Sequence, residues 1–150
     1  DKGVPFQLVV TGHEKSQSPT IFSQAKEKLN QHIIHWGFCE NKEEYHKLLL
    51  ACDILPVTGI QDFFGISVVE AISAGVVPLL PNRLAYGEHI PQSHHFQLIY
   101  QNEADYMEKL LKLLDQSPSN DLRQELSTYV GKYDWKLMIK KYDSLSRSCV

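Results

Sequence analysis

A chain of 150 residues is long enough for one domain with a buried core, and its length argues against two. Apolar residues at 43% and charged residues at 22% are ordinary for a soluble globular protein. A net charge of −3 and a pI near 6.2 make no electrostatic case for a surface that binds nucleic acid or an anionic membrane.

The first apolar run, Phe6–Gly12, ends in glycine and predicts a buried strand. Ser18 as N-cap and Pro19 at the first helical position open a helix whose Phe22, Ala25 and Leu29 recur at helical spacing. His32–Phe38 reads as a strand that stops at Gly37. Asn41 is the candidate N-cap of the next helix, with Tyr45, Leu48, Leu49 and Cys52 facing inward. Asp53–Val57 is a strand, followed by a loop and an apolar helix up to Gly75. Val76–Pro81 has no polar alternation, which suits a sheet covered on both faces.

His95–Tyr100 is the last strand candidate. Three amphipathic helices follow. The first carries Tyr106, Met107, Leu110, Leu111 and Leu114 on one stripe. The second, from Ser119, is stopped by Gly131, and the third has Asp134 as N-cap. Ser144–Val150 is linker-like, which puts the domain at residues 1–145 and a tail at 146–150. Repeated strand–helix units predict an α/β fold, a Rossmann-like parallel sheet with helices on both faces.

Cys39, Cys52 and Cys149 form no CxxC pair, and three cannot all pair within one chain, so a reduced, cytoplasmic setting is expected. The seven histidines show no zinc-ligand spacing, and no metal site is expected. The opening DKGVPF has no apolar leader pattern. Phe63–Pro81 is too short for a membrane span and contains Gly65, Glu70, Gly75 and Pro78, so no stable span is expected.

Ligands of open α/β sheets sit beyond the carboxyl ends of the strands. Three such ends stand out here: Gly12–Glu14, Trp36–Phe38 and Gly59–Gly65. In the last, Gly65 allows close backbone approach, and the following helix offers free N–H groups to an anion. Two acids flank it. Asp62 suits a cap for the helix start. Glu70 sits among Ile66, Val68, Val69, Ala71 and Ile72, where a buried carboxylate needs partners. The residues alone leave two readings of Glu70 open, a ligand contact or a structural ion pair.

The combination Asp62-Phe63-Phe64-Gly65-Ile66, then Glu70-Ala71, Gly75 and Pro78, resembles the E-x7-E signature of retaining GT-B glycosyltransferases, group 1, family four. Tyr86–Pro91, with Glu88 as its acid, looks like that family's following loop, and Asp134-Trp135 resembles the start of its closing helix. The strings HWGF, FFGISVVEA and PLLP look like the branch that includes tRNA-queuosine mannosyltransferases. The resemblance covers nearly the whole chain.

It implies a C-terminal donor domain that binds a nucleotide sugar, GDP-mannose in the branch named, as substrate and without a cofactor. Glu70 would accept hydrogen bonds from the ribose hydroxyls, a task suited to a carboxylate. Asp62 would hold hydroxyls of the transferred sugar. The amides of Phe64, Gly65 and Ile66 would meet the sugar and diphosphate. Phe38 would lie near the base, and Gly12 would give the donor clearance.

Two departures from the family pattern are Asp62, one methylene shorter than the usual Glu, and Phe63 in place of a Gly. Core packing is the plain reading for at least one of Phe63 and Phe64, and for Trp36. The family's diphosphate-binding Arg and Lys belong to a segment before the strand that ends at Gly12, and its catalytic histidine to an N-terminal acceptor domain. The chain therefore reads as most of a donor domain lacking its first strand–helix unit, inactive alone, with its catalytic residues unassigned. The acceptor expected from the branch is queuosine in tRNA, although this acidic chain supplies no basic surface for it. A lipid or polysaccharide acceptor, a non-catalytic nucleotide-binding Rossmann module and a ligand-free scaffold are the rival readings.

Overall fold

A computed structural model describes residues 3–12 and 19–148, the side chains of 141 and 145–148 excepted. The chain divides into two compact units, Asp1–Cys52 and Asp53–Val150, each described by itself below. In both, the strands pair in parallel, as the strand–helix alternation predicts.

In the first unit, β1 (Leu8–Thr11) pairs with β2 (Ile33–Gly37). The ladder is prolonged where the Gly12 amide donates to the Gly37 carbonyl at 2.9 Å. Between them, α1 (Thr20–Lys28) starts one residue later than expected, with Pro19 flanking it. Ser18, the expected cap, lies outside the described residues. Ala25 and Leu29 are half-buried, but Phe22 is exposed, which corrects its inward assignment. α2 (Lys42–Leu50) is capped as predicted: Asn41 Oδ1 accepts from the Glu44 amide at 2.9 Å. Glu44 Oε2 reaches back to the Glu40 amide at 2.9 Å, so two donors at this helix start are met locally. Tyr45, Leu48, Leu49 and Cys52 form its half-buried face.

The second unit has a three-stranded sheet in the order β3 (Ile54–Pro56), β4 (Val77–Pro81), β5 (Ile99–Tyr100). β4 is buried at every position, in keeping with its unbroken apolar run. α3 (Ile66–Ser73) and α6 (Asn120–Val130) pack together and each meets β4. α5 (Glu103–Asp115) covers β4 and β5. The core joins Val68, Ile72, Val77, Leu80, Leu98 and Leu126 with their neighbours. Arg123 of α6 ties the layers. It donates to Asp53 Oδ1 at 2.6 Å, the Gly75 carbonyl at 2.9 Å and the Pro118 carbonyl at 3.3 Å.

Three expectations fail here for physical reasons. His95–Leu98 is not strand but a helical turn, α4, and β5 keeps only two residues. The chain enters it from a 3-10 turn over Gln92–His94, and His95 Nε2 lies 3.1 Å from the Gly87 carbonyl, so extended backbone begins only at Ile99. Met107 of α5 is exposed, while Tyr106, Leu110, Leu111 and Leu114 are half-buried. The last helix, α7 (Trp135–Ser148), runs into the expected tail as far as Ser148, because Ser144–Ser148 contains neither Gly nor Pro to stop it, and the last two residues of that tail lie outside the described residues. Its start is as predicted: Asp134 Oδ1 accepts from the Lys136 amide at 2.8 Å. Among the described residues no helix is long and apolar enough to cross a membrane.

Candidate functional site

The β3–α3 loop of the second unit, residues 57–65, is fixed by side chains that sequence reasoning passed over. At its start, the Tyr100 hydroxyl donates to the Val57 carbonyl at 2.9 Å. At its end, Asp62 Oδ1 accepts from the amides of Phe64 (3.2 Å) and Gly65 (2.8 Å), and the Tyr86 hydroxyl donates to Oδ2 at 3.3 Å. Asp62 thus closes the turn ahead of α3 instead of capping it: the N-cap position is Gly65, and no described side chain bonds the amides of the first helical turn. Burial, and next the Asp62 carboxylate, hold the Tyr86 hydroxyl above its ordinary pKa, so it stays a donor.

His89 is the second clamp and is fully buried. Burial pushes its pKa below the ordinary value, so the ring is neutral. A carbonyl can only accept, so Nε2–H donates to the Phe64 carbonyl, and Nδ1 takes the Tyr133 hydroxyl proton at 3.2 Å. The Tyr133 hydroxyl also lies 3.2 Å from the Glu88 carbonyl, which accepts from Lys132 Nζ at 2.7 Å as well, so His89 Nδ1 and that carbonyl share one hydroxyl proton. The Phe64 ring packs edge-on against His89 and Tyr133, with centroids 5.0 and 5.1 Å away. Phe64 is therefore the packed member of its pair, and Phe63 stands fully exposed. The sequence signal was present in Tyr86–Pro91, but Glu88, the acid singled out there, is exposed, and its neighbours Tyr86 and His89 hold the loop.

Gly65 sits at the junction in a left-handed conformation, φ 80°. A Cβ there would lie 3.1 Å from Tyr86 Cε1 and 3.3 Å from His89 Nε2. α3 then presents two faces. Val68, Ala71 and Ile72 are buried, whereas Ile66, Ser67, Glu70 and Ser73 form an exposed stripe. Glu70 is not a buried carboxylate. It lies about one helical turn beyond Ile66 on the open face, and no described residue hydrogen-bonds or pairs with its side chain. That removes the structural ion pair and leaves the carboxylate open to an external donor.

The amides expected to meet a ligand differ among themselves. Those of Phe64 and Gly65 already donate to Asp62. Ile66 N–H precedes the first helical bonds, which run from the Val68 and Val69 amides to the Gly65 carbonyl. The first turn of α3 carries no acid, so its dipole end is left positive.

In the first unit, Gly12 and Phe38 line a single pocket of about 370 Å³ at the carboxyl ends of β1 and β2. Thr11, Cys39, Glu40, Asn41, Lys42 and Tyr45 complete it. Gly12 has φ 150° and open space where a Cβ would stand. Burial, with a smaller contribution from Glu44, raises the Cys39 thiol above its ordinary pKa, so no thiolate is offered there. The first turn of α2 holds Glu43 and Glu44, unlike that of α3. A larger, open concavity of about 560 Å³ lies along α6 and contains none of the expected site residues.

The family model for glycosyl transferases group 1 matches residues 1–133. The tRNA-queuosine alpha-mannosyltransferase of Drosophila melanogaster is 34% identical over 94 residues, 63% of this chain and 25% of that protein. The GDP-mannose:cellobiosyl-diphosphopolyprenol alpha-mannosyltransferase of Xanthomonas oryzae pv. oryzae (strain PXO99A) is 22% identical over 141 residues, 91% of this chain and 37% of that protein. The matches therefore span well under two thirds of either relative. With parallel strand–helix units, a strand-end loop closed on a left-handed glycine and a family match over residues 1–133, the chain belongs to the glycosyl transferases of group 1.

Proposed function

We propose that this chain binds the nucleotide-sugar donor of an enzyme that transfers mannose from GDP-mannose to queuosine in tRNA, in the cytoplasm and without a cofactor. The observation that carries the donor role is the open Glu70 carboxylate beside a helix start that has no acid of its own. Glu70 would accept from the ribose hydroxyls, two donors to one carboxylate. Asp62 would meet the sugar with lone pairs not spent on the loop. The α3 N-terminus would favour the diphosphate as it leaves, supplying charge stabilisation in the transition state. The choice of mannose follows both mannosyltransferase relatives, and the tRNA acceptor follows the Drosophila one. An N-terminal acceptor domain would supply the rest of the site.

The test uses the full-length protein, titrated with GDP-mannose, UDP-glucose and ADP-glucose and assayed for mannose incorporation into queuosine-containing tRNA. GDP-mannose should bind best. Glu70→Gln should weaken it about tenfold or more, since hydrogen bonds to a charged acceptor are worth roughly 1.5–3 kcal/mol. Binding of no nucleotide sugar, or unchanged binding by a folded Glu70→Gln protein, would sink the donor role. A polyprenol-linked acceptor is the second reading, favoured by the name of the Xanthomonas relative, and it gains if transfer goes to such a lipid and not to tRNA.

A further inference from the structure

The acceptor sites of Asp62 can be counted, and the count gives Tyr86 a role. An ionised carboxylate offers two lone pairs on each oxygen, about four sites in all. Oδ1 spends both on the loop, one on the Phe64 amide at 3.2 Å and one on the Gly65 amide at 2.8 Å. Oδ2 takes the Tyr86 hydroxyl at 3.3 Å. A single site on Oδ2 is left. Its direction is set, because the lone pairs of such an oxygen lie near the plane of the group, and filling one defines the other.

Tyr86 is built into the wall of the loop. It is 2% exposed and opens the 3-10 turn Tyr86–His89 that follows β4. Its ring stands against both ends of the β3–α3 loop. A Cβ at Gly65 would come within 3.1 Å of Cε1, and one at Gly59 within 3.5 Å of the hydroxyl oxygen. A phenylalanine ring would serve that packing equally well, and a buried hydroxyl is costly unless it is bonded. Among the described residues the Tyr86 hydroxyl has one acceptor, and that acceptor is the Asp62 oxygen which the loop does not use.

Resting on the donor reading above, we infer that Tyr86 is a positioning residue for the transferred sugar: its O–H on Oδ2 leaves Asp62 one free acceptor site, in one direction, for one sugar hydroxyl. Tyr86 is too buried to meet the sugar itself and acts through Asp62. Burial, and next the Asp62 charge, keep its hydroxyl protonated, so it remains a donor to Oδ2. At 3.3 Å the bond is long for O–H···O, so its loss should have a moderate effect on sugar binding.

The experiment titrates the full-length protein with GDP and with GDP-mannose, in wild type, Tyr86→Phe, Asp62→Asn and the double variant, with circular dichroism confirming the fold. GDP lacks the sugar, so the comparison isolates the sugar contact. Tyr86→Phe should weaken GDP-mannose by about threefold to tenfold, the worth of one neutral hydrogen bond, and leave GDP unchanged. Asp62→Asn keeps Oδ1 for the loop and turns Oδ2 into a donor, so neither hydroxyl can donate to it. Adding Tyr86→Phe to it should then change GDP-mannose by less than about twofold, since both changes break one contact. A second measurement leaves Tyr86 intact. Of donors deoxygenated in turn at C2, C3, C4 and C6 of the sugar, one should bind wild type more weakly than GDP-mannose and lose that deficit in Asp62→Asn. GDP and GDP-mannose weakened alike by Tyr86→Phe, no weakening, a full additional loss in the double variant, or either none or two such sugar positions overturns the inference while the donor reading stands. Binding of neither nucleotide by wild type overturns both.

Discussion

The most demanding check on the β3–α3 loop is Gly65→Ala. Two costs add. The left-handed backbone at φ 80° penalises a Cβ by about 1–2 kcal/mol. The new Cβ would also press on Tyr86 and His89 at 3.1 and 3.3 Å. Neither ring can yield cheaply: both are buried, Tyr86 is tied to Asp62, and His89 is held at both nitrogens. Overpacking of this kind costs about 1–3 kcal/mol. The stiffer unfolded chain returns about 0.5 kcal/mol, leaving a net loss of about 1.5–4.5 kcal/mol.

Gly75→Ala separates the two terms. Gly75 is also left-handed, φ 89°, but a Cβ there meets nothing within 4 Å. Its loss should be about 0.5–1.5 kcal/mol, the backbone term alone. Urea denaturation of wild type and both variants, followed through the same transition, gives the comparison. Equal losses would show that the Tyr86–His89 wall is not rigid. A Gly65→Ala protein as stable as wild type would refute the described loop.

Acid should loosen this clamp. The folded-state pKa of His89 lies below its ordinary 6.5, so the contribution of the neutral ring is complete above that pH and is lost as pH falls through the lowered folded value. Denaturation midpoints between pH 7.5 and 5 should fall more steeply in wild type than in His89→Gln, and parallel slopes would contradict the assignment. Arg123→Met should cost about 1–3 kcal/mol, chiefly by leaving the Gly75 carbonyl unmet, because Asp53 is largely exposed and its ion pair is weak. Arg123→Lys should recover less than half of that in the same assay, since one ammonium cannot serve three acceptors in a planar fork.

Much of the fold was legible because its cues are local. Asn41 and Asp134 cap as their side chains dictate, and Val77–Pro81 lies buried as its unbroken apolar run demands. The misreadings lie where tertiary context decides. His95–Leu98 has the composition of a strand, but the preceding 3-10 turn and the His95–Gly87 contact wind it into a helix. Glu70 seemed enclosed because its sequence neighbours are apolar, yet a helix distributes neighbours over its whole circumference. Ile66 and Ser67 turn outward with it, and the buried face belongs to Val68, Ala71 and Ile72. The clamp of Tyr86, His89 and Tyr133 was illegible because it joins residues 24 to 45 positions apart, and no periodicity reports such pairings.

The two acids that flank Gly65, Asp62 and Glu70, then divide their work. Asp62 is short enough for one oxygen to fold back onto the amides two and three residues ahead, an Asx-type turn. A glutamate, one methylene longer, would carry its carboxylate past those amides. The Asp in place of the usual Glu is therefore matched to holding the loop, and it draws on the same carboxylate that would hold the sugar. Glu70 has no such second duty, since its helix is packed by the opposite face. A substitution at Asp62 mixes loop geometry with ligand binding, whereas one at Glu70 reports on the ligand with the scaffold left in place.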